Sequence, residues 1–241
     1  PDVEHYEEFS QRIRTIDYLQ KKDIRKINLM VITHLHRDHV GGLLDVASNI
    51  EVDEVWSNYV FPDDYIGKKI TADAGYHNSA LNLLNTLNIF NEICYILKSK
   101  GKVVREIRGI GLDTRITAEF GIDVFGPECE AAETQKKFIN YIYGEKNPCK
   151  VERALLDMKE SINDTCIALR LLFGSIKILL CGDVYSNYWD SIINRGIPVN
   201  ANILKLSHHG RADGTSERFA EEVAPDYVVV STSNRTDDKR A

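Results

Sequence analysis

Five of the seven histidines fall in two tight groups, His34, His36 and His39 in one and His208 with His209 in the other. At the end of an extended strand, positions 34 and 36 project to the same side, so their imidazoles can converge on one cation. Asp38 and His39 occupy the turn that follows and can reach a second cation nearby. Imidazole with carboxylate is a borderline-to-hard donor set, suited to zinc, manganese or iron rather than calcium or copper(I). A lone histidine is more often a hydrogen-bonded surface or core residue. His-x-His-x-Asp-His followed by Gly41-Gly42 is too dense for that reading.

The elements that must position these residues are legible from spacing. Tyr6, Phe9, Ile13, Ile16 and Leu19 recur at intervals of three and four, which predicts an amphipathic helix over 4–22. Ile27 to Ile32 is a short run rich in β-branched residues, a strand buried on both faces, and the histidine cluster begins where it ends. A second strand is expected around Glu54 to Tyr59, then a polar stretch over 62–80. From Ala80 to Lys100 the positions Leu84, Leu87, Cys94 and Leu97 predict a helix stopped by Gly101. Strands are expected at 103–107, 115–125, 165–173 and 175–181, with a hairpin turn at Phe173-Gly174-Ser175, so most of the second half reads as sheet. Two more strands, Asn202 to Leu206 and Tyr227 to Ser231, flank a helix from about Ser216 to Val223.

Bulk properties narrow the class. Apolar residues make up 43% of 241 and charged residues 27%, an ordinary globular balance that excludes a disordered or fibrous chain. The net charge of −6 gives no whole-chain attraction to nucleic acid or to an anionic membrane, so either contact would need a local basic strip. Cys94, Cys129, Cys149, Cys166 and Cys181 are odd in number and lack a Cys-x-x-Cys pair, which fits free thiols in a reducing, cytoplasmic compartment. No stretch approaches the ~20 apolar residues of a membrane span.

The pattern from His34 to Gly42 resembles the signature of the metallo-β-lactamase superfamily, with every ligand position of that motif present. The resemblance implies an α/β fold, an αββα sandwich of two mixed sheets packed face to face with helices outside. It places His34 and His36 on a first ion and Asp38 and His39 on a second. Ile178 to Asp183, an apolar run ending in Gly-Asp, looks like the family's bridging carboxylate position, which assigns Asp183. Ile203 to Gly210, a strand followed by paired histidines, resembles the last ligand motif; His208 is the favoured ligand and His209 the group that contacts substrate or protonates a leaving group, although adjacency cannot separate them. The stretch from Leu204 to Gly210, with Val223-Ala224-Pro225-Asp226-Tyr227-Val228-Val229-Val230-Ser231, is similar to the hydrolase domain of ComEC-type DNA-uptake proteins. Asn163-Asp164-Thr165-Cys166 looks like the counterpart of a segment preceding the Gly-Asp hairpin there, which makes Asn163 and Asp164 further ligand candidates. Many superfamily members add a histidine in the middle of the chain; the only candidate here is His77, which has no matching motif. The family's opening strands are not visible before residue 24, and its usual histidine-proline tail is replaced by Asn234 and a charged segment. The chain is therefore expected to form one domain over 1–241, with 62–110 as an insertion and N-terminal strands missing.

Two divalent ions, Zn2+ by first expectation and Mn2+ as the alternative, would hold and acidify a bridging water. The chemistry implied is hydrolysis, first of a phosphodiester in a nucleic acid or nucleotide, with Asp38 orienting the attacking water and Lys205, Arg211 or Lys239 contacting phosphate. The alternative is a small-molecule ester, lactone or thioester. A non-catalytic scaffold is disfavoured because no ligand of the first motif is lost.

Overall fold

The run of β-branched residues ahead of the first histidine group forms β1 (Lys26–Ile32), with Met30 and Ile32 buried. The structure is a computed structural model and describes residues 13–73 and 75–232. Ahead of β1 lies α1 (Thr15–Lys21), which realises the last turns of the helix expected over 4–22. Tyr6 and Phe9 lie outside the described residues. Two short helices, α2 (Arg37–Val40) and α3 (Leu43–Asn49), lead to β2 (Glu51–Ser57), which pairs parallel to β1 with Lys26 opposite Glu51. The long helix α4 (Asn78–Ser99) then brings the chain to β3 (Val103–Glu106), parallel to β2. Parallel neighbours require such crossovers. Among the described residues this sheet is ordered β1-β2-β3, and both of its pairings are parallel.

The polar stretch before α4 is held by amide side chains. Asn91, buried inside α4, accepts from the Gly67 N–H and donates to the Tyr65 carbonyl, while Asn88 brackets both backbone groups of Ile70. Four backbone groups of a segment that has only isolated turns of its own are thus satisfied by the helix.

The sheet-rich second half expected from sequence is corrected by two helices, α5 (Cys129–Gly144) and α6 (Pro148–Glu160). Their signals are present: Ala132, Gln135, Ile139 and Ile142 follow helical spacing on α5, and Asn147 caps α6 with Pro148 in its first turn. Ile139, Ile142, Leu155 and Met158 join Leu84, Leu87 and Phe90 of α4 in one core.

By packing, the chain divides into two compact units, Pro1–Ile107 with Glu130–Ile162, and Arg108–Cys129 with Asn163–Ala241. The second unit carries a six-stranded mixed sheet in sequence order, β4 (Gly111–Arg115), β5 (Phe120–Val124), β6 (Leu169–Phe173), β7 (Ile176–Leu180), β8 (Ile203–Lys205) and β9 (Tyr227–Val229). The first four strands pair antiparallel and the last three parallel. The strand expected over 115–125 is confined to β5, because Thr117 Oγ1 accepts from the Glu119 and Phe120 N–H groups and turns the chain after β4, a strand the sequence reading lacks. The strand expected from 165 starts at Leu169, after a 3-10 turn at Asn163–Thr165. Helices α7 (Ser186–Asn194) and α8 (Glu217–Val223) make the parallel crossovers, and Ser216 caps α8 through the Phe219 N–H.

At the centre of this unit Trp189 stacks on Phe219, with ring centroids 4.6 Å apart, and Phe125 meets Trp189 edge-on. Arg170 on β6 faces Asp123 on β5 in register, with Nη2 2.6 Å from Oδ2, and its guanidinium also donates to the Pro198 carbonyl. Both side chains are buried, so each charge depends on the other.

Candidate metal centre

In the first unit, β1 ends at Ile32 and the chain bends at His34 and Leu35 before His36, whose φ of −85° and ψ of 149° place it as the residue before α2. His34 is completely buried, and its Nε2 lies 3.0 Å from His36 Nδ1. Two nitrogen ligands at the usual tetrahedral zinc distance of about 2.0–2.1 Å stand about 3.3 Å apart, close to this spacing. The His34 and His39 rings lie 4.2 Å apart, and the Thr33 hydroxyl reaches Nδ1 of both, at 3.1 Å and 3.4 Å. Thr33 thereby fixes two imidazoles through one nitrogen each and leaves their Nε2 atoms turned to other partners, the usual outer support of a ligand histidine. His39 Nε2 is 3.5 Å from Asp38 Oδ2. A Cβ on Gly41 would meet the Arg37 carbonyl at 2.9 Å, so the glycine allows the tight turn that folds the motif onto itself. His34 with His36, and Asp38 with His39, each pair ligand atoms closely enough to share a cation.

In the second unit the donors come from separate segments. Asp183 follows β7 and is buried; its N–H donates to Cys166 Sγ at 3.3 Å. The His208 N–H donates to the Gly182 carbonyl at 3.0 Å, tying the last histidine turn to the same loop. His209 Nε2 lies 3.4 Å from Asp183 Oδ2, with its Nδ1 2.9 Å from the Ser231 carbonyl. His208 turns the other way, Nδ1 at 2.7 Å from Asp213 Oδ1. The favoured sequence assignment, His208 beside the carboxylate and His209 toward substrate, is thus inverted in the geometry. The cause is local: both residues adopt left-handed φ values of 45° and 59°, so consecutive side chains diverge.

Asp213 and Cys166 are the contacts that sequence reading misses. Gly214 presses against the Ser207 carbonyl, 2.8 Å from where a Cβ would be, and this close approach carries Asp213 onto His208. Asn163 is buried and donates to the Tyr185 hydroxyl, while its Oδ1 is buried with no hydrogen-bond partner among the described residues. That oxygen is an acceptor free for a cation. Asp164 beside it is exposed.

Other anticipated residues do different things. His77 caps α4, its Nδ1 accepting from the Ser79 N–H at 3.2 Å. Lys205 donates to the Leu206 carbonyl, and Arg211 lies 3.9 Å from Asp213. Lys239 is outside the described residues.

The architecture is a mixed α/β fold with two sheets and flanking helices, consistent with the metallo-β-lactamase fold. The family model of the metallo-beta-lactamase superfamily matches residues 6–60, the stretch that carries β1, the histidine motif and β2. None of the curated proteins is significantly similar to the chain. The match and the His/Asp donor groups together suggest a metal-dependent hydrolase. Among the described residues, no helix is long and apolar enough to cross a membrane.

Proposed function

We propose that this chain is a metal-dependent phosphodiesterase or nuclease. In this reading His34, His36, Asp38 and His39 are ligands of divalent ions, and so are Asp183 and one of the paired histidines. The 3.0 Å approach of the His34 and His36 ring nitrogens carries the proposal, because two imidazoles so close are either hydrogen-bonded to each other or directed at one cation. His209 is the better second-unit ligand, since it faces Asp183 while His208 is held by Asp213. When bound, such ions acidify a water and offset charge on the attacked phosphorus centre and on the leaving oxygen. The chain's own residues supply the rest: Thr33 and Asp213 orient imidazoles, and Cys166 holds the Asp183 backbone. The choice of a phosphodiester rests on the resemblance of the stretches from Leu204 to Gly210 and from Val223 to Ser231 to ComEC-type domains. Zn2+ suits the imidazoles; a carboxylate together with the Asn163 oxygen makes Mn2+ suitable as well.

The test is to strip the protein with chelator, reload it with Zn2+ or Mn2+, and assay bis-p-nitrophenyl phosphate and single-stranded DNA. Cleavage that requires metal and is lost in Asp183→Asn is expected; no metal-dependent cleavage of either substrate would remove the reading. The net charge of −6 favours the alternative, an ester, lactone or thioester hydrolase, and a nitrophenyl ester and lactone panel on the same reloaded protein distinguishes it.

A further inference from the structure

Within the first unit a cavity of about 240 Å³ adjoins the histidine motif. His36 and Asp38 line one side, and Ser79, Asn82 and Leu83 of α4 with Lys159 at the end of α6 line the other. The volume falls below the ~300–1,000 Å³ of sites that enclose a drug-sized ligand, so it suits one small group of a larger substrate.

Part of its polar lining is uncommitted. Thr86 at the cavity wall spends its hydroxyl on the Asn82 carbonyl, at 2.9 Å. The Ser79 hydroxyl, the Asn82 carboxamide and the Lys159 ammonium have no hydrogen-bond or ion-pair partner among the described residues. Ser79 and Asn82 stand in the first two turns of a 22-residue helix, the end at which backbone dipoles favour an anion. Lys159 adds a cation, and a metal ion on Asp38 would offset the one carboxylate in the lining. Leu35 and Leu83 are buried and close the apolar side. A cavity with hydrogen-bond donors, an unpaired ammonium and a ligand-bearing wall selects a compact anion attached to the group being cleaved.

We propose that this cavity is a phosphate subsite in which Lys159, Ser79 and Asn82 hold a terminal phosphate next to the scissile diester, making phosphorylated oligonucleotide ends the preferred substrates. The proposal rests on the phosphodiesterase reading for its substrate, while the anion site itself can be measured without turnover.

The experiment compares thymidine dinucleotide with its 5′-phosphorylated and 3′-phosphorylated forms on metal-loaded protein. Wild type is expected to prefer one phosphorylated form by about tenfold in kcat/KM, the order of one charge-assisted hydrogen bond. Lys159→Gln should bring that ratio close to one, and Lys159→Arg should restore it; a purely structural role would lower all three substrates together. In parallel, chelator-treated protein is heated with inorganic phosphate or with chloride at equal ionic strength. Phosphate should raise Tm in wild type and not in Lys159→Gln. An equal shift in both proteins, or a preference ratio unchanged by Lys159→Gln, overturns the subsite. If no dinucleotide is cleaved by the metal-loaded protein, the phosphodiesterase reading falls and the phosphate-dependent Tm alone decides the subsite.

Discussion

The two donor sets are built in opposite ways. In the first unit His34, His36, Asp38 and His39 lie within six consecutive residues, on one strand end and the short helix after it, and Thr33 next door orients two of the rings. In the second unit Asp183 and His209 meet only because a loop after β7, a turn after β8 and the 3-10 segment before Cys166 are packed together. The first arrangement needs little beyond local backbone geometry. The second needs its unit folded, and it carries two consecutive left-handed histidines, each costing of the order of 1–3 kcal/mol. A local set is expected to fail when a ligand is removed, a distributed set also when distant packing is disturbed.

The largest effect that sharpens this contrast is at His34. His34→Ala removes a completely buried imidazole that contacts both His36 and His39. Metal content by elemental analysis should fall by about one ion per chain or more, and hydrolysis should drop by more than about 100-fold, beyond the 10–100-fold typical of an outer-support residue. Retention of full metal content would show that the first set is not a ligand group.

Next in size is Arg170→Met, which leaves Asp123 buried without its guanidinium. A loss of about 3–5 kcal/mol in denaturant unfolding is expected. If the second set depends on its unit's packing, metal affinity should fall in this variant although Arg170 touches none of the donors; unchanged affinity in the folded fraction would make the second set as self-sufficient as the first.

A smaller effect belongs to Cys166. Cys166→Val keeps the shape but removes the sulfur that accepts from the Asp183 N–H, while Cys166→Ser keeps an acceptor. Metal dissociation measured by chelator competition should weaken about 10–100-fold in the valine variant and much less in the serine variant. Equal behaviour of the two would assign Cys166 to packing alone.

The same contrast explains what the sequence reveals. The first set is legible because its chemistry repeats at strand and turn spacing, and β1, α4 and the β6–β7 hairpin are legible for the same reason, their periodicity being local. The inversion of His208 and His209 is not legible, since it depends on the left-handed backbone of both residues, which their residue types do not signal. Asp123 opposite Arg170 is equally invisible, because 47 residues separate two partners joined only by strand register. The α5–α6 pair is a different kind of miss: its helical spacing and its Asn147-Pro148 cap are present in the sequence, and the polar surface residues between the apolar positions obscure them.

The smallest effect separates strain that serves the donor set from strain that does not. Ala224 at the end of α8 has a φ of 45°, nearly the same as the 45° of His208. Both pay the left-handed penalty of about 1–2 kcal/mol that a Cβ imposes and that glycine avoids. Ala224→Gly should therefore raise stability by about 1 kcal/mol and leave metal content and hydrolysis as they are, because Ala224 is exposed and its N–H donates to the Ala220 carbonyl of its own helix. His208→Gly relieves the same penalty but also deletes the imidazole held by Asp213, so its gain in stability should be smaller and its hydrolysis lower. Calorimetry and metal-loaded kinetics on the two glycine variants give the comparison. If His208→Gly gains as much stability as Ala224→Gly and keeps its activity, the left-handed turn in the second set is a folding accident and not the device that directs His209 at Asp183.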